Sequence, residues 1–155
     1  MTATITITNP ILSGMNPDPS WIWDDEFQRI VLVTSTFELV PGLPIYVSED
    51  MTCWKHVSNV IDADLARRLL IPFVDDSGGV YAPTLRRIHG KYVIACTIAR
   101  LDDRRAMEGG CTESELMRFH AAEGNFILEA DSIEGPWHGP FWIEGAEGID
   151  PDIFE

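Results

Sequence analysis

The sequence predicts an all-β protein built from repeated four-stranded antiparallel units, the pattern of a β-propeller, and three observations carry this expectation. Short runs rich in β-branched and aromatic residues alternate with clusters of turn residues. A proline stands at the entrance of a strand three times, in "DPSWIW", "APTLRRI" and "DPDIF", with Pro19, Pro83 and Pro151 about 64 and then about 68 residues apart. In the first two units a tryptophan, Trp54 or Trp137, then opens the fourth strand. Repeats of four short strands mark propellers, although this spacing exceeds the roughly 40 to 50 residues of common blades and calls for inserted loops. The strand pattern alone also fits a plain β-sandwich.

In order along the chain, strands are expected at "RIVLVTST" (Arg29 to Thr36), "PIYVSED" (Pro44 to Asp50), "VYAPTLRRI" (Val80 to Ile88), "KYVIACTIA" (Lys91 to Ala99) and "NFILEAD" (Asn125 to Asp131). Tight hairpin turns are expected around Asp24-Asp25-Glu26 and at His89-Gly90, where the turn-forming residues fall between apolar runs. Helical periodicity is confined to two stretches that interrupt the strands. "DADLARRLL" (Asp62 to Leu70) is long enough for one or two turns. "TESELMRFHAA" (Thr112 to Ala122) opens with Thr112 as a cap and Glu115 at the capping-box offset. The segment from Arg100 to Gly124 is charged and holds the pair Gly109-Gly110, which predicts a mobile, poorly packed insertion.

Composition narrows the classes of function. With 45% hydrophobic and 23% charged residues the chain resembles a folded domain rather than a disordered one. Its formal net charge of −14, with only 11 Lys and Arg scattered along it, argues against nucleic acid, whose phosphates are bound through clustered cations. Cys53, Cys96 and Cys111 are an odd number without C-x-x-C spacing, so free thiols are expected. His56, His89, His120 and His138 show no ligand spacing, so no metal site is expected. The start "MTATITITNP" lacks the basic and apolar regions of a secretion signal, and no apolar run approaches the roughly 18 residues a membrane helix needs; a cytoplasmic location is the expectation.

One short stretch stands apart. In "SGMNPDPSWIW" Asp18 lies between Pro17 and Pro19. Each proline fixes its own φ and disfavours the right-handed helical region for the residue before it, so Asp18 is restricted toward extended geometry. An Asx-Pro turn at a strand entrance is one reason for such a residue. A carboxylate held still for chemistry is the other.

Five motifs, "NPILSGMNPDPS", "STFELVPGLPIYVSEDMTCW", "DSGGVYAPTL", "SIEGPWHGP" and "GIDPDIF", are similar in order and spacing to the N-terminal part of glycoside hydrolase family 43, in particular its β-xylosidases and α-L-arabinofuranosidases. The resemblance covers nearly the whole chain. It implies a five-bladed β-propeller with the active site on its axis, of which residues 1–155 would be an N-terminal fragment: blade one over about 16–60, blade two over about 78–143, and the start of a third over about 149–155. It implies hydrolysis of xylosides or arabinosides with inversion, and therefore a xylo- or arabino-oligosaccharide as partner. Incomplete blades also suggest self-association through open faces. A non-catalytic carbohydrate-binding or vestigial module is the competing reading.

The same resemblance assigns roles. Asp18 stands where the family has its general base, and Asp150 in "GIDPDIF" where it has the carboxylate that modulates the acid's pKa. Phe37 and Tyr81 stand at positions that line the sugar subsite, Tyr81 in place of the more usual Trp. Asp152 replaces a more usual Ser. The family's acid is a Glu in a Glu-Gly-Pro-like motif downstream of the modulating Asp. Glu134 in "IEGPW" precedes Asp150 and reads as a solvated loop residue, and Glu155 follows Asp150 too closely, so no general acid is expected in this chain. No cofactor is expected; the cation that this family often holds would lie outside these residues. The remaining tryptophans, Trp21, Trp23, Trp54, Trp137 and Trp142, are expected to pack between blades.

Overall fold

A computed structural model describes residues 5–154; Glu155, excluded above as the acid, lies outside the described residues. The chain forms two antiparallel sheets. In the first, β1 (Ser20–Asp24), β2 (Arg29–Val33), β3 (Gly42–Ser48) and β4 (Lys55–Ile61) pair in sequence order. Both expected hairpins are present. Asp25 to Gln28 turn between β1 and β2, and His89 and Gly90 carry φ of 49° and 83°, joining two later strands by a turn that needs two left-handed residues.

The second sheet comprises β5 (Val74–Val80), β6 (Thr84–Ile88), β7 (Lys91–Leu101), β8 (Asn125–Ala130) and β9 (His138–Trp142). The single strand expected over Val80 to Ile88 is broken. β7 is 11 residues long, and its one edge is taken by β6 near its start and by β5 near its end. Val80 faces Ile98 and Thr84 faces Ala95, so Tyr81 to Pro83 hold one residue more than the partner strand opposite them. This is a bulge; Pro83 has no N–H to give to the ladder, and the backbone leaves the sheet there. β5 and β6 are thus one interrupted strand, and the sheet keeps the four-stranded order of a blade.

One continuous core joins the sheets, from Val31, Val33 and Ile45 on one side to Leu85, Ile94 and Leu128 on the other. The helix α1 (Ala63–Arg68), capped by Asp62, and the 3-10 turn at Ile71–Phe73 plug the space between with Leu65, Leu69 and Ile71. At the seam, β1 lies beside β6, and the Leu85 N–H donates to Ser20 Oγ at 3.0 Å. Phe37 and Val80 exchange both backbone hydrogen bonds, at 3.0 and 2.9 Å, tying the loop after β2 to the end of β5.

Two further expectations are corrected. The Arg100 to Gly124 segment is packed, with α2 (Asp103–Glu108) and α3 (Glu113–Ala121) burying Ala106, Cys111, Leu116 and Phe119. Gly109 is there for close approach rather than mobility, since a Cβ would stand 2.2 Å from the Phe73 ring. Trp21 and Trp23 do not pack between the sheets: at 52% and 44% exposed, they project from the face of β1 opposite Ile22, away from the core. Residues 151–154 have no strand partner among the described residues; the Arg86 guanidinium holds this stretch, donating to the Ile153 carbonyl at 2.9 Å and pairing with Asp152.

Candidate active site

Asp18 and Asp150, widely separated in sequence, are built alike. Each precedes a proline, and each has its backbone in the left-handed region, with φ of 50° and 59°. The prolines do keep Asp18 out of the right-handed helical region, but into this conformation rather than an extended one. For a non-glycine residue that costs on the order of 1 kcal/mol or more and persists only where surrounding contacts impose it; Asp tolerates it better than most.

For Asp18 the contacts come from Ser35, fully buried two residues past β2. Its hydroxyl donates to Asp18 Oδ2 at 2.6 Å and its backbone N–H donates to the Pro17 carbonyl at 3.0 Å. One carboxylate oxygen is therefore engaged, and the exposed carboxyl group presents the other to solvent. For Asp150 the turn before it is fixed at Gly148, whose N–H donates to Glu123 Oε2 at 3.1 Å and whose carbonyl accepts from Asn125 Nδ2 at 3.0 Å.

Both negative charges are felt at a buried thiol. Cys96, buried on β7, has its thiol ionisation pushed far up, first by burial and further by the negative charges of Asp150 and Asp18. The thiol stays protonated and donates to the Tyr81 carbonyl at 3.1 Å. Tyr81 occupies the bulge between β5 and β6, and its N–H donates to the Thr97 carbonyl at 3.0 Å. Its half-buried ring meets that of Phe37 edge to face, centroids 5.6 Å apart. Phe37 is also left-handed, at φ 51°, and Gly79 opposite it leaves no room for a side chain: a Cβ there would stand 2.4 Å from the Phe37 carbonyl oxygen.

Phe37 and Tyr81 thus stand beside the Cys96–Thr97 stretch of β7, the turn before Asp150 is tied to that stretch through Asn125, and Asp18 is tied to Ser35, two residues before Phe37. Asp152 is turned away to Arg86. Glu134 is exposed in a separate cleft with Asn59, Asp62, Arg68 and Trp137. An open cleft of about 500 Å³ between Phe27, Val47 and Cys53 holds none of the four residues; one of about 380 Å³ reaches Gly148 and Ile149, beside Asp150. Among the described residues no three His, Cys, Asp or Glu stand close enough to hold a metal ion. Sequence reading missed Ser35, Thr97, Asn125 and the role of Cys96. Ser35 had a signal, lying two residues before Phe37 in "STFE"; buried polar residues inside apolar strands were the signal for Thr97 and Asn125.

Two blade-like antiparallel sheets are part of a propeller's architecture, and residues 7–155 match the model of "Glycosyl hydrolases family 43". The chain belongs to that family. Among its relatives are a non-reducing end α-L-arabinofuranosidase of Bacteroides ovatus, 36% identical over 150 residues, and a xylan 1,3-β-xylosidase of a Vibrio species, 35% identical over 153 residues. The alignments cover 96% and 97% of this chain and 24% and 25% of those proteins, so the chain spans about a quarter of their length. Solved structures agree. That of the Bacteroides ovatus xyloglucan-locus family 43 protein superposes with a TM-score of 0.72 at 33% identity, covering 96% of this chain and 25% of that one. A xylan β-1,4-xylosidase from Bacillus halodurans superposes with a TM-score of 0.71 at 30% identity over 96% and 25% of the two chains. Such neighbours are five-bladed β-propellers, and this chain forms part of that fold.

Proposed function

We propose that the chain carries the base side of an inverting glycosidase site for xylosides or arabinosides, with Asp18 as general base, Asp150 as the carboxylate that keeps the acid protonated, and Phe37 and Tyr81 holding an apolar sugar face. The matched build of the two Asp-Pro turns supports this reading: both aspartates are left-handed, Asp18 is held by the Ser35 hydroxyl two residues before Phe37, and Asp150 follows a Gly148 held by Asn125 beside Thr97. In the reaction, the free oxygen of Asp18 takes a proton from water as that water's oxygen bonds to the anomeric carbon. The glycosidic C–O bond breaks, and a carboxylic acid about 6.5 to 9.5 Å from the base returns a proton to the leaving oxygen. Ser35 holds Asp18 for the first step. Asp150 serves the last, since an ionised neighbour disfavours ionisation of the acid.

The proposal includes the acid's absence from residues 1–155. General acid catalysis contributes about 10²- to 10⁴-fold, so a natural xylo-oligosaccharide should be hydrolysed by this chain no faster than background. p-Nitrophenol leaves with little assistance. Its β-xyloside and α-L-arabinofuranoside should therefore turn over slowly, and Asp18→Asn should abolish that turnover. Rapid cleavage of the oligosaccharide would show that the acid is present. Slow aryl glycoside turnover unchanged in Asp18→Asn would remove Asp18 from the role of base.

A further inference from the structure

We propose that Asn125, locked by Thr97, is the positioning residue for Asp150. The inference rests on the reading of Asp150 as a site carboxylate. Thr97 on β7 is fully buried and Asn125 on β8 is 2% exposed, deep among apolar strand residues where an unpaired amide or hydroxyl is costly. Such groups persist where they are fully satisfied, and here the partners fix every direction. The Gly148 carbonyl only accepts, so the Asn125 Nδ2 must face it, at 3.0 Å. Asn125 Oδ1 then faces Thr97, whose hydroxyl must donate, at 2.6 Å. The Asn125 backbone is held as well, its N–H donating to the Ala122 carbonyl at 2.8 Å and its carbonyl accepting from Ile143 at 3.0 Å.

The consequence lies two residues on. Asp150 is exposed and left-handed, so nothing in its own conformation favours one placement. The turn that delivers it is clamped at Gly148 from both sides, by Asn125 at the carbonyl and by Glu123 at the N–H. The Thr97 carbonyl also receives the Tyr81 N–H. A single buried residue of β7 therefore sets the subsite aromatic directly and the modulating carboxylate through Asn125.

The test uses the chain itself and the near-isosteric pair Thr97→Val and Thr97→Ser. The readouts are the exchange rate of the Gly148 amide and the carboxyl carbon resonance of Asp150, identified by its loss in Asp150→Asn. In Thr97→Val the Gly148 amide should exchange about fivefold faster, on the order of the contribution of one neutral hydrogen bond, and the Asp150 resonance should move. Thr97→Ser should restore both. Amides of the β6–β7 pairing should be unchanged in either variant, which separates displacement of the turn from general loosening. An Asp150 resonance and a Gly148 amide indifferent to Thr97→Val would overturn the proposal, as would a folded Thr97→Ser that fails to restore them. Neither readout depends on hydrolysis. An Asp150 that proves inert toward sugar sinks the functional reading and leaves this inference standing, and the converse result sinks this inference alone.

Discussion

Arg87 on β6 reaches across the seam and donates to Asp24 on β1, Nη1 to Oδ1 at 2.6 Å, with Asp24 fully buried. Tyr92 donates its hydroxyl to the other Asp24 oxygen, and Arg87 pairs with Glu26 as well. Burial, followed by the hydrogen bond to Asp24, pushes the Tyr92 phenol's ionisation up, so it remains a donor at neutral pH. Removing one member of a buried pair costs up to about 3 to 5 kcal/mol; here Arg87 keeps Glu26, while the Tyr92 hydroxyl loses its acceptor. Asp24→Ala should therefore lower the unfolding free energy of the whole chain by up to that order, seen as a lower urea midpoint, through separation of the two sheets. A midpoint unchanged from wild type would show that the pair holds nothing together.

Gly79→Ala should disturb the subsite from beneath. Ala at a φ of 88° destabilises by more than about 1 kcal/mol, and here its Cβ would also push the Phe37 backbone away. The expected result is a loss of the Phe37–Tyr81 ring contact in NOE spectra along with lowered stability. Retention of that contact at wild-type strength would contradict it.

Phe119→Ala should destabilise the chain by about 3 to 5 kcal/mol, as for large aromatic truncations in a core. Phe119 is 5% exposed and meets Trp142 edge to face at 5.6 Å. Thermal or urea unfolding measures the effect. A loss below about 0.5 kcal/mol, ordinary for a surface substitution, would mean that α3 is an appendage after all.

The start of α3 should weaken in acid. Hydrogen bonds from the Thr112 backbone and hydroxyl hold the Glu115 carboxyl below its ordinary ionisation range. A carboxylate whose folded pKa is depressed contributes stability above its unfolded pKa, near 4.3, and loses it as pH falls through the folded value. Exposure keeps the effect small. Amide exchange in the first turn of α3, corrected for its intrinsic pH dependence, should show protection falling below about pH 4 in wild type and independent of pH in Glu115→Gln. Equal profiles would refute it.

Strand order, hairpins and helix caps were legible because each is written locally: His89-Gly90 supplies the turn, and Thr112 and Glu115 supply a complete capping box. The site was legible only through its motifs. What escaped depends on contacts between distant segments. The left-handed backbone at Asp18 and Asp150 is imposed by partners such as Ser35, where the prolines alone favour extended geometry. Ala106, Cys111, Leu116 and Phe119 looked like apolar residues in a charged insertion until Phe73 and Trp142 supplied the surface that covers them. The break at Tyr81 was equally invisible, because a bulge is defined by the partner strand.

The placement of the five tryptophans has an optical consequence. Trp21 and Trp23 face solvent in the folded chain, whereas Trp137 and Trp142 pack against the core. Native emission is then a mixture of a red-shifted, freely quenched population and a shielded one. Unfolding moves only the shielded rings into water, so the spectral change is smaller than five buried indoles would give. Iodide, repelled by a surface with a net charge of −14, will under-report the exposed pair that neutral acrylamide reaches.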